Sequence, residues 1–332
     1  MAMQWIAVIG AGAMLAPGLA EGLDRAPSAA LLELLRRDDL RLATVGYRLI
    51  TRNAALCDVV QPALGIQFHT LAQYQPAARG TVRAVFNFRM PIAVEGVVTG
   101  APAESAGVLA DDGVVSIAGQ PLATALLADE SVATTRDIEA VEAVVAKLPP
   151  TAPVAMVVQR ADHDVALSIL PTPACRARFE VSPESGASSD GYVIQIGADY
   201  LDKLSDAELA VVVAHELAHN ILRHRPRLEA AGAHFGVLSE FGKSGRVQRQ
   251  AETEADLMSV YVLANAGYDP LNAGRFWRGA GRQFDAGIFR NRAYRSPSAR
   301  ATLLDAEAAK ISGGAALPIM PALLESRNKP LK

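Results

Sequence analysis

The chain has 332 residues, half of them apolar, 20% charged and only 5% aromatic, and its net charge at pH 7 is −3. This composition is that of ordinary globular protein, and the length is sufficient for two domains. A slightly acidic balance gives no basis for nucleic-acid binding, and no run reaches the roughly 18 consecutive apolar residues of a membrane span. We therefore expect no nucleic-acid partner and no transmembrane segment.

Residues 1–25 are predicted to be a leader segment. They contain an apolar run of signal-peptide length, and the small residues Gly18 and Ala20 follow it, although a basic start is missing. A strand running into a Gly-x-Gly pair would instead indicate nucleotide binding, but Leu15 occupies the place of the third glycine. We expect an exported, periplasmic protein, with the cytoplasm as the alternative location.

Residues 26–79 are predicted to be a helical N-terminal segment. Apolar side chains recur at helical spacing from Ala29 to Ala78, most clearly in the runs Leu31–Arg37 and Val45–Ile50. We expect the apolar face of these helices to pack on the C-terminal domain. No residue pattern in the segment indicates chemistry.

The two cysteines of the chain, Cys57 and Cys175, are far apart in sequence. This spacing excludes both a C-x-x-C redox pair and a thiolate zinc site. Two outcomes stay open: an exported protein favours a disulfide between them, whereas a cytosolic protein favours two buried thiols.

Residues 80–170 change to short β-rich runs and are predicted to form a separate domain. A strand and a turn occupy Val94–Val108, a second strand follows in Asp112–Leu122, and Thr135–Leu148 has the apolar spacing of a helix. The runs Val154–Gln159 and Asp164–Leu170 are typical of a closing hairpin.

This order of elements, with its G-x-P-A-x-x-A-G turn starting at Gly100, resembles the PDZ domain. PDZ domains bind a peptide as an extra strand at the edge of their sheet, beside a helix. The resemblance therefore implies a peptide ligand and a role in recruiting or gating a substrate. The alternative is a structural insert with a closed groove, since no carboxylate-binding loop is evident around Phe88–Pro91.

The strongest chemical signal lies in Ser205–Arg223. Ser205 and Glu208 form a capping box at the start of a helix, and good helix formers continue through Leu222. The apolar residues that follow the cap predict a buried helix. Polar side chains on such a helix are costly unless they have partners.

His215 and His219 lie one turn apart on this helix, so their imidazoles can converge on one metal ion. Glu216 lies one step round the helix and can reach a water molecule on that metal. Two neutral nitrogens, a third protein ligand and an open position suit Zn²⁺. We predict His215 and His219 as zinc ligands and Glu216 as the catalytic base.

The third ligand distinguishes the known types of zinc site. A metzincin would carry a glycine at Leu222 and a histidine at Arg225, so that type is excluded. The alternative is a carboxylate from a second helix, predicted over Arg246–Asn265 and closed by Gly267 and Pro270.

Three acidic residues on this second helix are candidates. Glu252 and Asp256 share one face at i and i+4, whereas Glu254 points roughly 160° away. We predict Glu252 as the third zinc ligand and Asp256 as the residue that orients a ligating histidine. Glu254 fits an acidic, solvated helix face.

The H-E-L-A-H of His215–His219 followed by the E-T-E-A-D of Glu252–Asp256 resembles the gluzincin metallopeptidases, the family of the CAAX prenyl protease, HtpX and BepA. The similarity covers about Pro171–Ile311. It implies an α+β fold: a zinc peptidase domain over residues 171–332, with a mostly helical core and a small β-sheet, beside the PDZ-like β-rich domain.

The chain departs from this family near its C-terminus. Ser296 stands where the family usually shows a histidine ahead of an arginine. A donor must still stabilise the negative charge that develops on the substrate carbonyl. We predict Tyr294 or Arg300 as that donor, with His234 next, and we interpret His224 as a helix-end residue helped by the helix dipole.

These features together predict a zinc-dependent endopeptidase that cleaves protein or peptide substrates. The alternative is a zinc-binding chaperone or adaptor whose peptidase site is latent or inactive.

Overall fold

A computed structural model describes residues 27–122, 132–233, 242–284, 296–311 and 316–332. The predicted leader, residues 1–25, lies outside these ranges. The described chain is a mixture of helix and sheet and divides into two compact units. The β-rich unit comprises Met1–Tyr47, Gln61–Pro173 and Val181–Pro183, and the helical unit comprises Arg48–Val60, Ala174–Glu180 and Glu184–Lys332. No helix in the described ranges has the length and apolarity to cross a bilayer.

The β-rich unit is built on an antiparallel sheet, with strand order β2-β3-β4-β6-β7 and a short β5 on β4. The strands are β2 (Ile66–Thr70), β3 (Ile92–Val97), β4 (Gly113–Ile117), β5 (Gln120–Pro121), β6 (Val154–Arg160) and β7 (His163–Ile169). Helices α2 (Arg79–Val85), α3 (Pro102–Ser105) and α4 (Arg136–Val145) accompany the sheet. Its core is aliphatic and includes Val94, Ile117, Val141, Met156 and Val158.

The predicted helix and closing hairpin of this unit are confirmed as α4 and the β6–β7 pair. The prediction of helix throughout Ala29–Ala78 was wrong. Helix α1 (Ala29–Arg52) accounts for its first half, but β1 (Val60–Ala63) and β2 follow. Gly65 turns the chain between these strands with φ of 77°, and a Cβ at Gly65 would lie 2.2 Å from that of Ala101. Because β2 pairs with β3, the sheet begins before residue 80.

The helical unit contains most of residues 171–332, the range predicted for the zinc peptidase domain. A small sheet has the order β10-β11-β9, with β9 at Arg178–Ser182, β10 at Ala187–Ser189 and β11 at Val193–Gly197. The helices that follow are α5 (Ala198–Lys203), α6 (Asp206–Ile221), α7 (His224–Ala230), α8 (Gly242–Asn265), α9 (Asn272–Arg278), α10 (Gly281–Phe284) and α11 (Pro297–Ala308). Helix α6 packs on α8 and α9, and α11 also packs on α8 and α9.

A disulfide joins Cys57 and Cys175, both within the helical unit. Cys57 lies shortly after α1, and Cys175 ends β8 (Thr172–Cys175), which pairs with β1. Of the two outcomes that the sequence left open, the structure therefore has the bonded pair.

We expect the loss of this disulfide to lower the free energy of unfolding by about 2–5 kcal/mol, because the bond closes a long loop in the unfolded chain. The two cysteines are 118 residues apart. Thermal unfolding followed by circular dichroism checks this for the wild type with and without reductant. The C57S/C175S double variant is the control, since reductant should not change its midpoint. An unchanged wild-type midpoint on reduction would contradict the prediction.

Candidate metal centre

Helix α6 carries the first two candidate ligands, and its start is fixed as predicted. The hydroxyl of Ser205 accepts the amide of Glu208 at 3.4 Å, and the Glu208 carboxylate accepts the amide of Ser205 at 2.9 Å. The following turns are buried, including Leu209, Val213 and Leu217. This packing fixes the rotation of the helix and so places both histidines toward α8.

The three predicted ligands lie together. The Nε2 atoms of His215 and His219 are 3.2 Å apart, and Oε2 of Glu252 lies 3.2 Å from Nε2 of His215 and 3.6 Å from Nε2 of His219. One donor atom from each side chain lies within 4.8 Å of the others. Two imidazole nitrogens and one carboxylate oxygen are a donor set that zinc accepts, so the residues fit this metal.

His215 has a second contact on its far side. Its Nδ1 lies 3.1 Å from Oδ1 of Asp256, and Nε of Arg300 donates to Oδ2 of Asp256 at 2.8 Å. A terminal amino group of Arg300 also donates to Asp256, and the guanidinium stacks on Trp277 with 3.6 Å from its carbon to the ring centre. Asp256 therefore lies behind His215, the position predicted for it.

The carboxylates give the centre a negative field. Burial lowers the pKa of His215, but the hydrogen bonds and charges of Asp256 and Glu252 outweigh burial and raise that pKa to about 10. Burial raises the pKa of Glu252, but the charges and hydrogen bonds of His219 and His215 hold it well below its usual value. The negative charges that stabilise a protonated imidazole here would equally favour a metal cation in its place.

Glu216 and His215 line one pocket. The pocket is lined mainly by apolar and aromatic side chains, among them Tyr200, Val211, Val212, Phe276, Trp277 and Leu304. Burial in these surroundings raises the pKa of Glu216. A carboxylate with a raised pKa is a stronger base toward a water molecule.

Glu254 and His224 lie in a different environment from the one predicted. Glu254 is only 8% exposed, so the interpretation as a solvated helix face was wrong. His224 does not end α6: that helix stops at Ile221, Arg223 adopts φ of 56°, and His224 begins α7 with 1% of its surface exposed. Its Nδ1 lies 3.0 Å from Nδ1 of His219, and its Nε2 lies 3.2 Å from Oε2 of Glu254.

No pattern in the sequence indicated these two positions. A residue with a Cβ in the left-handed region is uncommon, so the reversal at Arg223 could not be expected from its residue type. In the structure, the partner of Glu254 is Arg227, whose Nη1 donates to Glu254 at 2.7 Å. The presence of this arginine in the sequence was only a weak indication that an acidic residue could be buried. A buried carboxylate requires such a partner.

The predicted oxyanion donors have different outcomes. Ser296 caps α11, since its hydroxyl accepts the amide of Ala299 at 3.3 Å. Arg300 is 3% exposed and binds Asp256, so its donor role stays a prediction. Tyr294 and His234 lie outside the described residues.

Comparison with known proteins adds little to this geometry. No family model and no curated protein matches the chain. Among solved structures, the chain is similar to the crystal structure of the HtrA3 PDZ domain bound to a phage-derived ligand, FGRWV. The match has a TM-score of 0.25 and 19% identity, and it covers 34% of this chain and 88% of that one. This likeness is too slight to carry an argument.

The two glutamates of α8 make a matched pair of variants. We expect Glu252→Ala to lose bound zinc, because it removes one of three ligands. Glu254→Ala should retain zinc with about 10–100-fold lower affinity, because it removes the carboxylate behind His224 and no predicted ligand. Since it also leaves Arg227 without its buried partner, the unfolding midpoint of both variants is measured alongside. Metal content by mass spectrometry and zinc titration of both variants check this. Zinc-free Glu254→Ala beside zinc-loaded Glu252→Ala would overturn the ligand assignment.

Proposed function

We propose that this protein is a zinc-dependent endopeptidase. The observation that supports the proposal is the convergence of His215, His219 and Glu252, with Glu216 buried beside them. Three protein ligands leave an open position, which is the arrangement of a catalytic rather than a structural zinc site.

The neighbouring sheet favours an extended peptide as the substrate. Among the strands that the structure describes, β10 is at the edge of its sheet. It packs against α6, and its residue Ala187 lines the same pocket as Glu216. A free strand edge pairs with the backbone of an extended peptide and positions it without regard to its side chains. A peptide paired along β10 reaches the pocket that holds Glu216.

Zinc, when bound, supplies a positive charge that acidifies water and polarises the scissile carbonyl. Glu216 accepts a proton from the attacking water and returns it to the leaving amine. His215 and His219 are oriented by their outer contacts, and the apolar wall of the pocket keeps bulk water from Glu216.

The β-rich unit is proposed to recruit a peptide. In the described part of the chain, β2 is the last strand at one side of its sheet, and α4 packs against it. This is the combination of a free edge and a neighbouring helix that accepts an added strand. The ligand of the β-rich unit is proposed to be a segment of a protein substrate. Binding of that segment would raise the local concentration of the substrate at the peptidase.

The disulfide supports an exported location. Disulfides persist in oxidising compartments such as the periplasm and are rare in the cytosol. The Cys57–Cys175 pair is therefore an argument for the periplasm, the location proposed here.

One observation favours the adaptor as a second candidate. Ser296, at the place of the histidine of the resembled family, is occupied in capping α11. A peptidase without an oxyanion donor loses about 10²–10³ in rate. A chain with such a slow site could bind zinc and peptide without useful turnover.

Glu216→Gln is the direct test of the peptidase. This variant should bind zinc as the wild type does, because Glu216 is not a ligand, but its kcat should fall by at least about 10²-fold, because an amide cannot accept the proton. A quenched-peptide assay with and without chelator checks the rate. Retained turnover in pure Glu216→Gln would rule out this base, and an inert wild type would favour the adaptor.

Deleting the peptide-recruiting sheet tests the second part of the proposal. Residues before Arg48 belong to the β-rich unit, and Leu32 packs on Val82 and Phe86, so the variant starts at Arg48. Because β1 and β8 are paired strands, a short turn joins Ala63 to Thr172 in place of residues 64–171. Starting the deletion at residue 80 would leave β2 without its partner. We expect kcat/KM for protein substrates to fall by about tenfold or more, with a short generic peptide little affected. Equal loss on both substrates, or unchanged selectivity, would contradict recruitment.

A further inference from the structure

His224 is a buried histidine that the proposed chemistry does not use. It lies on the outer side of His219, away from Glu252, and outside the three-residue ligand group that the described residues form. The backbone at Arg223 takes a conformation that residues with a Cβ rarely adopt, and this turn is what returns His224 to His219. In a continuous α6 helix the two side chains would lie about 140° apart around the axis.

The hydrogen bonds around His224 allow one consistent arrangement of protons. If Nε2 of His219 holds the metal, its Nδ1 carries the proton and donates to Nδ1 of His224. His224 must then accept at Nδ1 and carry its own proton at Nε2. That proton points at Oε2 of Glu254, an acceptor at 3.2 Å.

Glu254 is held in place as the end of this chain. Its Oε2 accepts from Nη1 of Arg227 at 2.7 Å and lies 3.4 Å from Oγ of Ser326, and its Oε1 accepts from Nε2 of Gln250 at 2.8 Å. The carboxylate therefore stays ionised and fixed in a buried position. Arg227 is itself fixed by the backbone carbonyls of Leu222 and Lys329.

We propose that His224 is a positioning residue for zinc. Glu254 fixes the His224 ring through the bond to Nε2, and His224 then fixes the His219 ring by accepting at Nδ1. The result is that the lone pair of His219 Nε2 is aimed at the ligand site and made more basic. This inference rests on the proposed zinc site and deepens it. His215 has the carboxylate of Asp256 directly behind it, whereas His219 has His224 behind it, and Glu254 in turn orients His224.

Two substitutions separate orientation from packing. His224→Asn can place its amide oxygen near the former Nδ1 position and still accept from His219, but it is too short for Glu254. His224→Gln fills more of the volume and can reach Glu254, but it has no acceptor at the Nδ1 position. If His224 orients His219, the Asn variant should bind zinc more tightly than the Gln variant. If His224 only fills space, the Gln variant should bind zinc more tightly than the Asn variant.

The measurement is the zinc dissociation constant of the full chain, by competition with a chromophoric chelator. We expect His224→Gln to bind zinc about 10–100-fold more weakly than the wild type and His224→Asn to recover most of that loss. His163→Gln is the control, since His163 is exposed on β7 and should not affect binding. Equal affinities for all four proteins, or stronger binding by Gln than by Asn, would overturn the inference.

A measurement on the zinc-bound wild type covers the case in which a variant does not fold. Long-range ¹H–¹⁵N NMR of the histidine rings should show His219 protonated at Nδ1 and His224 protonated only at Nε2. A His224 ring protonated at Nδ1 would overturn the proposal. A wild type that binds no zinc would reject the proposed function as well, whereas zinc binding without the expected tautomers would reject this inference alone.

Discussion

The constraint on which the helical unit depends is the burial of carboxylates on α8. Glu254 and Asp256 are both less than 9% exposed, and each has an arginine partner, Arg227 and Arg300. An unpaired buried charge is expensive, and removal of one partner of a buried pair typically costs about 3–5 kcal/mol. The positions of α7 and α11, which supply these arginines, are therefore tied to the charges on α8.

These pairs produce two parallel arrangements behind the candidate ligands. In one, Arg300 holds Asp256, which lies against His215; in the other, Arg227 holds Glu254, which contacts His224 and through it His219. Each of the two imidazoles thus has a fixed neighbour on its outer side, Asp256 beside His215 and His224 beside His219. The same charges that would destabilise the interior if unpaired give the inner face a negative field.

The sequence predicted the parts of the site that depend on local spacing. The capping box, the one-turn spacing of His215 and His219, and the i, i+4 relation of Glu252 and Asp256 follow from helix geometry alone. The prediction failed for Glu254 because α8 has no solvent face there. It has α6 on one side and α7 with the C-terminal segment on another, so a residue opposite Glu252 is still buried. Only a non-local packing arrangement decides this.

The β-rich unit gives the same lesson about local and non-local signals. The β6–β7 hairpin and α4 were predictable because each is contiguous in sequence. Strand β2 was not, because its five residues, Ile-Gln-Phe-His-Thr, are too few for their alternation to be distinguished from the helical spacing before them. Its partner β3 lies more than twenty residues away, and the close approach at Gly65 is visible only in three dimensions.

The position of Arg300 bears on how such a site could function with Ser296 in place of a histidine. Its guanidinium donates to both oxygens of Asp256 and stacks on Trp277, so its geometry is committed to the support of His215. An interaction that is equally strong in the ground state and the transition state increases binding without increasing the rate of the chemical step. In the proposed site, the contact of Arg300 with Asp256 would therefore act through the orientation of His215. Arg300 also lines the pocket that contains Glu216, so its predicted role as oxyanion donor would require a guanidinium N–H that Asp256 does not hold.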